Sequence, residues 1–304
     1  MNKINSIAFL IVAHNKPQQL NCFIRQLLLY PGSYIYIHID KKSLSMIPEI
    51  VKHDRVEILP MHYDVKWGDF TQITVNNYLL KYSSDKRYHD YYSLHSGLDL
   101  MIRPIDELVS YLSTTNQFAY FSGNKLPNGW QYGGGFGRIA LYWPQIFRKR
   151  LRKYSPLRYF RSIYGRLYGI GLIKGRNLPD EYEYYGGADW FTISHECVLK
   201  TLKFVETESK FTDLFINSLS GAEIFYVSVF QMVKGNASVS DQDMLRYIDW
   251  ENRGQKLTVG SPNTCKMDFL SDIENSNNFF ARKFDTNIDK EIVEYFLKKT
   301  GVMI

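Results

Sequence analysis

The stretch IAFLIVAHNKPQQL, residues 7–20, decides how the chain is built. It opens with an unbroken apolar run, IAFLIVA, the pattern of a strand buried in a sheet. Pro17 then begins the amphipathic helix KPQQLNCFIRQLLL, since a proline suits the first helical turn. Working outward, the same alternation repeats. YIYIHID (34–40) reads as a second strand and VEILP (56–60) as a third. DFTQITVNNYLLKYS (69–83) is a helix, YYSLHS (91–96) a strand, and RPIDELVSYLS (103–113) a helix with Pro104 at its start. This order predicts an α/β fold with a mixed, mostly parallel sheet covered by helices. Ligands of such sheets bind at the carboxyl ends of the strands. Those ends carry His14 and Asn15, Asp40, and Ser96 to Asp99.

The 304 residues, 45% hydrophobic, suffice for a sizeable core. No Pro/Gly/Ser-rich linker or internal repeat divides them, so the expectation is one domain over 1–304. From about 123 to 183 the periodicity fades into YGGGFG and a basic segment, read as an insertion or mobile flap. Beyond it, DWFTIS and MLRYIDW read as strands, and HECVLKTLKFV, AEIFYVSVFQMV and KEIVEYFLKK as helices. The run at 7–13 falls far short of the roughly 20 residues that span a bilayer. It also lacks the flanks of a signal peptide. The expected location is cytoplasmic, peripheral at the inner face of the membrane. Cys22, Cys197 and Cys265 have no metal-ligand spacing and fit a reducing compartment.

The net charge of +6 is unevenly spread. No acidic residue lies between Glu107 and Asp180, whereas FRKRLRKYSPLRYFRSIYGRLYG (147–169) interleaves cations with aromatics. Such a segment is drawn to anionic lipid head groups or lipid-linked phosphates, or else is a solvated basic loop. No helix-turn-helix, zinc or RNA-binding signature supports a nucleic-acid partner. The absence of G-x-x-x-x-G-K-[ST] and of G-x-G-x-x-G after the first strand argues against a P-loop NTPase and a Rossmann dehydrogenase. The absence of H-E-x-x-H and G-x-S-x-G weakens metalloprotease and hydrolase readings.

An ordered series of motifs is more specific than any one of them: IAFLIVAHNKP, YIYIHIDKKS, VKWGD, YYSLHSGLDLMIRP, GGADWFTIS, GAEIFYVSV, LRYIDW, SPNTCKMDF and FFARKFD. The series resembles the core-2/I-branching glycosyltransferases, glycosyltransferase family 14, from about residue 6 to residue 298. That family includes β-1,6-N-acetylglucosaminyltransferases and peptide O-xylosyltransferases. GGADWF, SPN and FFARKF look closest to the xylosyltransferase branch, and the basic insertion resembles the family least. The resemblance implies a GT-A-like nucleotide-sugar fold, inversion at the anomeric centre and activity without a metal.

Carried over residue by residue, the resemblance sets Asp40, with His14, beside the nucleotide; the plain alternative for Asp40 is a helix N-cap. Asp99, in Gly97-Leu98-Asp99, stands where many GT-A enzymes keep a metal-binding D-x-D. A lone carboxylate supports a hard cation poorly, so Asp99 faces the donor sugar or is structural. Arg282 and Lys283 match the cations on the diphosphate, with Phe279 and Phe280 anchoring their turn in the core. Glu223 matches the catalytic base, although a glutamate in a first helical turn also complements the helix dipole. Asp189, Trp190 and Trp67 match the sugar and acceptor pocket, a tryptophan beside a carboxylate being suited to a sugar ring; the plain alternative for either tryptophan is a place in the core. Arg246 in LRYIDW is set aside as weaker. The expected activity is transfer from a UDP donor, N-acetylglucosamine before xylose, to a glycan or lipid-linked glycan in surface polysaccharide synthesis, with no cofactor or metal. The alternative is a non-catalytic carbohydrate- or nucleotide-binding protein on the same fold.

Overall fold

A computed structural model describes residues 3–152, 154–250 and 261–303. Lys153, one cation of the basic segment, lies outside the described residues. In chain order the main elements are β1 (Ile7–Ala13), α1 (Pro17–Leu27), β2 (Ser33–Ile39), β3 (Val56–Ile58), α2 (Thr71–Lys86), β4 (Tyr91–Ser96), β5 (Asp99–Met101) and α3 (Ile105–Thr115). The chain continues through β6 (Ala119–Tyr120), β7 (Gly123–Lys125), α4 (Pro156–Gly169), β8 (Tyr185–Gly187), β9 (Thr192–Ser194) and α5 (His195–Thr207). It ends with α6 (Ala222–Val233), β10 (Val239–Ser240), β11 (Arg246–Ile248), β12 (Phe280–Arg282) and α7 (Lys290–Lys299).

The main sheet has seven strands in the order β10-β6-β9-β4-β1-β2-β3. β1 runs parallel to β2 and β4, and β2 to β3, while β9 runs antiparallel to β4 and β6. This is the mixed, mostly parallel α/β sheet expected from the alternation. Strand periodicity explains why β1 is apolar throughout. Ile7, Phe9 and Ile11 enter one core with Phe23, Ile24, Phe280 and Phe296, whereas Ala8 and Leu10 enter another with Leu79, Tyr92 and Phe225. Helix α1 follows the helical period, burying Leu20, Phe23, Ile24 and Leu27 against the first core. Truncating Phe23, which is fully buried, costs about 3–5 kcal/mol by the usual large-to-small scale.

A second, three-stranded sheet has the order β11-β12-β5. The turn expected at FFARKF is instead its central strand, β12, parallel to β11 and antiparallel to β5. Phe280 packs edge-on against His95 at 4.4 Å between ring centres. The register sets Arg282 opposite Asp99.

The region read as an insertion or flap contains regular elements and its own small core. Strand β7 pairs with β8, and Trp143 is buried with Leu141 and Leu219 against Tyr132, Phe147, Tyr164 and Tyr168. Tyr132, Gly133, Gly134 and Gly135 all have positive φ, from 66° to 100°. Glycine at the last three positions avoids the roughly 1–2 kcal/mol that left-handed backbone costs an L-residue.

Candidate functional site

The site is built upward from a buried carboxylate. Asp99 is fully buried at the start of β5. Its Oδ2 lies 3.1 Å from Arg246 Nε and 3.2 Å from His95 Nδ1. Its Oδ1 accepts from Ser96 Oγ at 2.6 Å and lies 3.5 Å from Arg282 Nε. Burial alone would raise this carboxyl, but Arg246, His95 and Arg282 hold it well below the ordinary range. Asp99 therefore does not line the pocket, as the sequence reading allowed. Enclosed beneath the site, it is a hub orienting two guanidinium groups. Arg246, set aside in the sequence, is the more deeply buried of the two and also donates to Leu94 O at 2.9 Å. Trp190 covers both, with its ring centre 4.1 Å from Arg282 Cζ and 5.1 Å from Arg246 Cζ.

Lys283 follows Arg282 at the end of β12 and donates to Ser261 Oγ at 2.6 Å. Burial, then the charges of Arg282 and Arg150, push its ammonium down to about 7. Arg150 arrives from the basic segment, with Cζ 5.8 Å from the ring centre of Trp67. Two residues earlier, Arg148 forms an ion pair with Asp69, on the same loop as Trp67. His14, exposed at the end of β1, lies within the electrostatic reach of Asp40, Arg150, Lys42 and Lys283. Asp40 itself takes the N-cap geometry. Its Oδ1 accepts from Lys42 N at 2.9 Å and its Oδ2 from Val65 N at 3.2 Å.

Two carboxylates lie close enough to act on each other. Glu223, in the first turn of α6, is ion-paired with Arg138, whose guanidinium lies 3.9 Å over the Trp130 ring. The turn before Glu223 is pinned to the Trp67 loop, where Ser220 N donates to Gly68 O at 2.9 Å. Gly68 has φ +71°, and a side chain there would press on Ser220. Asp189 is the second carboxylate. Burial and the charge of Glu223 push its carboxyl up to about 6, opposed by Arg282 and Arg246. The arrangement thus runs continuously from Glu223 through Asp189, Trp190 and Arg282 to Lys283, Arg150, Trp67 and His14.

Of the residues singled out in the sequence, all but Asp99 reach this rim, although Asp40 does so with its oxygens engaged by backbone amides. Arg138, Arg148 and Arg150 were not picked out as site residues, and Arg246 was named only as a weaker candidate. The partners of the first three are distant in sequence, and their only signal was the density of cations between Glu107 and Asp180.

Known proteins give the arrangement a context. The family model described as Core-2/I-Branching enzyme matches residues 7–274, and the chain belongs to that family. Xylosyltransferase 2 of Rattus norvegicus is 22% identical over 95% of this chain and 33% of its own length. Xylosyltransferase 1 of Homo sapiens is 23% identical over 96% of this chain and 30% of its own. The chain thus spans about a third of these relatives. Among solved structures, the WbbM bifunctional glycosyltransferase apo structure aligns over 98% of this chain and 50% of its own, with 10% identity and a TM-score of 0.43.

Proposed function

We propose that this Core-2/I-branching enzyme transfers a sugar from a UDP donor to a glycan hydroxyl, inverting the anomeric centre without a metal ion. The observation that carries the reading is the gathering of Arg282 and Arg150 around the largely buried Lys283, whose ammonium is pushed down to about 7 by burial first and then by those two charges. A diphosphate supplies the counter-charge that this cleft lacks, accepting a planar fork from each arginine and a point charge from the lysine. As the bond from the sugar to the phosphate oxygen breaks, the electron pair leaves with UDP, and fixed cations stabilise the growing charge. Both oxygens of Asp99 are already committed to protein donors, which supports a metal-free mechanism. Asp40 and His14 are proposed at the nucleotide end, and Trp67 and Trp190 as walls for rings.

Glu223 is proposed as the base that takes the acceptor hydroxyl's proton as its oxygen attacks the anomeric carbon. One observation favours a second reading. Asp189, raised to about 6, suits proton transfer near neutral pH better than a carboxylate paired with a guanidinium. For the donor, the relatives' names move xylose ahead of N-acetylglucosamine. The acceptor is proposed to be a growing surface polysaccharide on a lipid carrier. The test is hydrolysis and transfer with UDP-xylose and UDP-N-acetylglucosamine, with and without EDTA. Turnover of one donor that persists in EDTA is expected. Loss in EDTA restored by manganese would sink the metal-free reading. UDP binding without turnover of any donor would favour the carbohydrate- or nucleotide-binding alternative.

A further inference from the structure

Helix α4 and the turn after it present apolar side chains to solvent. The inner face is filled: Gly165 abuts the Tyr132 ring with no room for a Cβ, and Tyr164 packs 5.2 Å from Trp143 between ring centres. Outward, Tyr159, Phe160 and Ile163 are 60%, 61% and 51% exposed, and Ile170 and Leu172 continue the patch at 70% and 72%. Eight of the seventeen exposed large apolar side chains among the described residues fall within residues 142–172, about a tenth of the chain. Contiguous apolar surface of this kind marks an interaction site, since scattered single side chains would not concentrate in one element.

The surrounding charge selects the occupant. Lys149, Arg152, Arg166 and Lys174 are exposed around the patch, and no acidic residue lies between Glu107 and Asp180. A second copy of this chain, docked by the same patch, would oppose cation to cation across a self-complementary interface. An anionic bilayer answers both features. Tyrosine and phenylalanine rings enter the boundary between head groups and acyl chains, while arginine and lysine stems reach up to lipid phosphates.

We infer that α4 and the Ile170–Leu172 turn dock in the interface of an anionic membrane, as a surface-lying helix rather than a spanning one. No helix among the described residues is long and apolar enough to cross a bilayer. The docking face is joined to the site within a few residues. The stretch that leads into α4 places Arg148 on Asp69 and Arg150 beside Trp67. A membrane-held acceptor is then presented at the edge of the cleft that binds the donor.

The test uses the full chain and vesicles of neutral phosphatidylcholine, alone or with about a third phosphatidylserine, sedimented at low and at high salt. Recovery with the anionic vesicles is expected to exceed that with neutral ones by about tenfold at low salt and to fall as salt rises. The triple variant Tyr159→Ser, Phe160→Ser, Ile163→Ser should lower anionic recovery by about tenfold or more. Its melting temperature and UDP affinity should stay unchanged, because these side chains touch neither core nor cleft. Equal recovery with both vesicles overturns the inference, as does a triple variant that binds like the parent. So does a concentration-dependent dimer, seen by sedimentation velocity, that the same variant abolishes, since the patch would then be a contact between copies. None of these outcomes depends on turnover, so failure of the membrane inference is distinct from failure of the transferase reading.

Discussion

Glu223→Gln separates the two proposed proton acceptors in the site. The substitution keeps the shape and an oxygen for Arg138 but removes one negative charge. Asp189 stands at about 6, raised first by burial and then by that charge, against about 3.9 for an ordinary aspartate. A group titrating near 6 is about nine-tenths ionised at pH 7 and about one-tenth ionised at pH 5. If Asp189 is the base, kcat/KM of the parent falls about tenfold between those values along a single acid limb. The direction of the mutant effect follows from the sign of the charge removed. Without Glu223 the Asp189 carboxylate is easier to form, so the limb moves to lower pH and activity near pH 5 rises relative to the plateau. Plateau turnover then changes only a few-fold. If Glu223 is the base, turnover falls by roughly 100-fold or more at every pH, the usual scale for losing a general base. UDP affinity is expected to hold in both cases, because Glu223 pairs with Arg138 and not with the cations of β12. Initial rates from pH 5 to 9, beside calorimetry with UDP, decide between them, and Asp189→Asn is the reciprocal experiment. If neither variant loses 100-fold, this carboxylate pair is not the proton acceptor and the reasoning is refuted.

Two further outcomes follow from the cation cluster. Lys283 is about half neutral near pH 7, so a bound diphosphate that raises it should draw in a proton. Calorimetry of UDP at pH 8 in buffers of different ionisation enthalpy should register uptake approaching one proton, with affinity weakening as pH rises above 7; Lys283→Arg should abolish the uptake, and identical uptake in that variant would assign the proton elsewhere. Arg150→Ala should weaken UDP and inorganic pyrophosphate by about tenfold, on the scale of one charge-assisted contact, while leaving uridine binding unchanged; an equal loss for uridine would mean that the change acts through the Trp67 loop.

What the sequence disclosed and what it hid divide by the distance of the partners. Strand β1 and helix α1 were legible because each carries its own periodicity, and β1 was read as buried because both cores draw on it. The Asp40 cap was visible as an alternative, since its backbone donor at Lys42 lies two residues away. Strand β12 was read as a turn because two cations follow two phenylalanines, a pattern that no isolated strand tolerates. It becomes a central strand because Asp99 arrives opposite Arg282 and neutralises it. Helix α4 gave no clean period because aromatics occupy both its faces, one packed on Trp143 and the other exposed. Asp99 was left between two roles for a similar reason. Its four polar partners come from β4, β11 and β12, and only the structure brings those strands together.

The burial of Asp99 bears on the proposed metal-free transfer. A divalent ion held by a D-x-D places two positive charges at the diphosphate and is itself held by carboxylates. Here one carboxylate holds two guanidinium groups, leaving a surplus of one positive charge at the hub before Lys283 and Arg150 are counted. Trp190 covers both arginines, so the donors are already oriented and need little reorganisation as charge develops on the leaving group. In the unliganded protein burial, and then the charges of Arg282 and Arg150, push the Lys283 ammonium down to about 7. A diphosphate reverses that shift. It restores the ammonium, and with it the full positive charge that faces the phosphate oxygen as the sugar departs. On the proposed reading the site is thus most cationic when the donor is present, which is the condition under which that charge is useful.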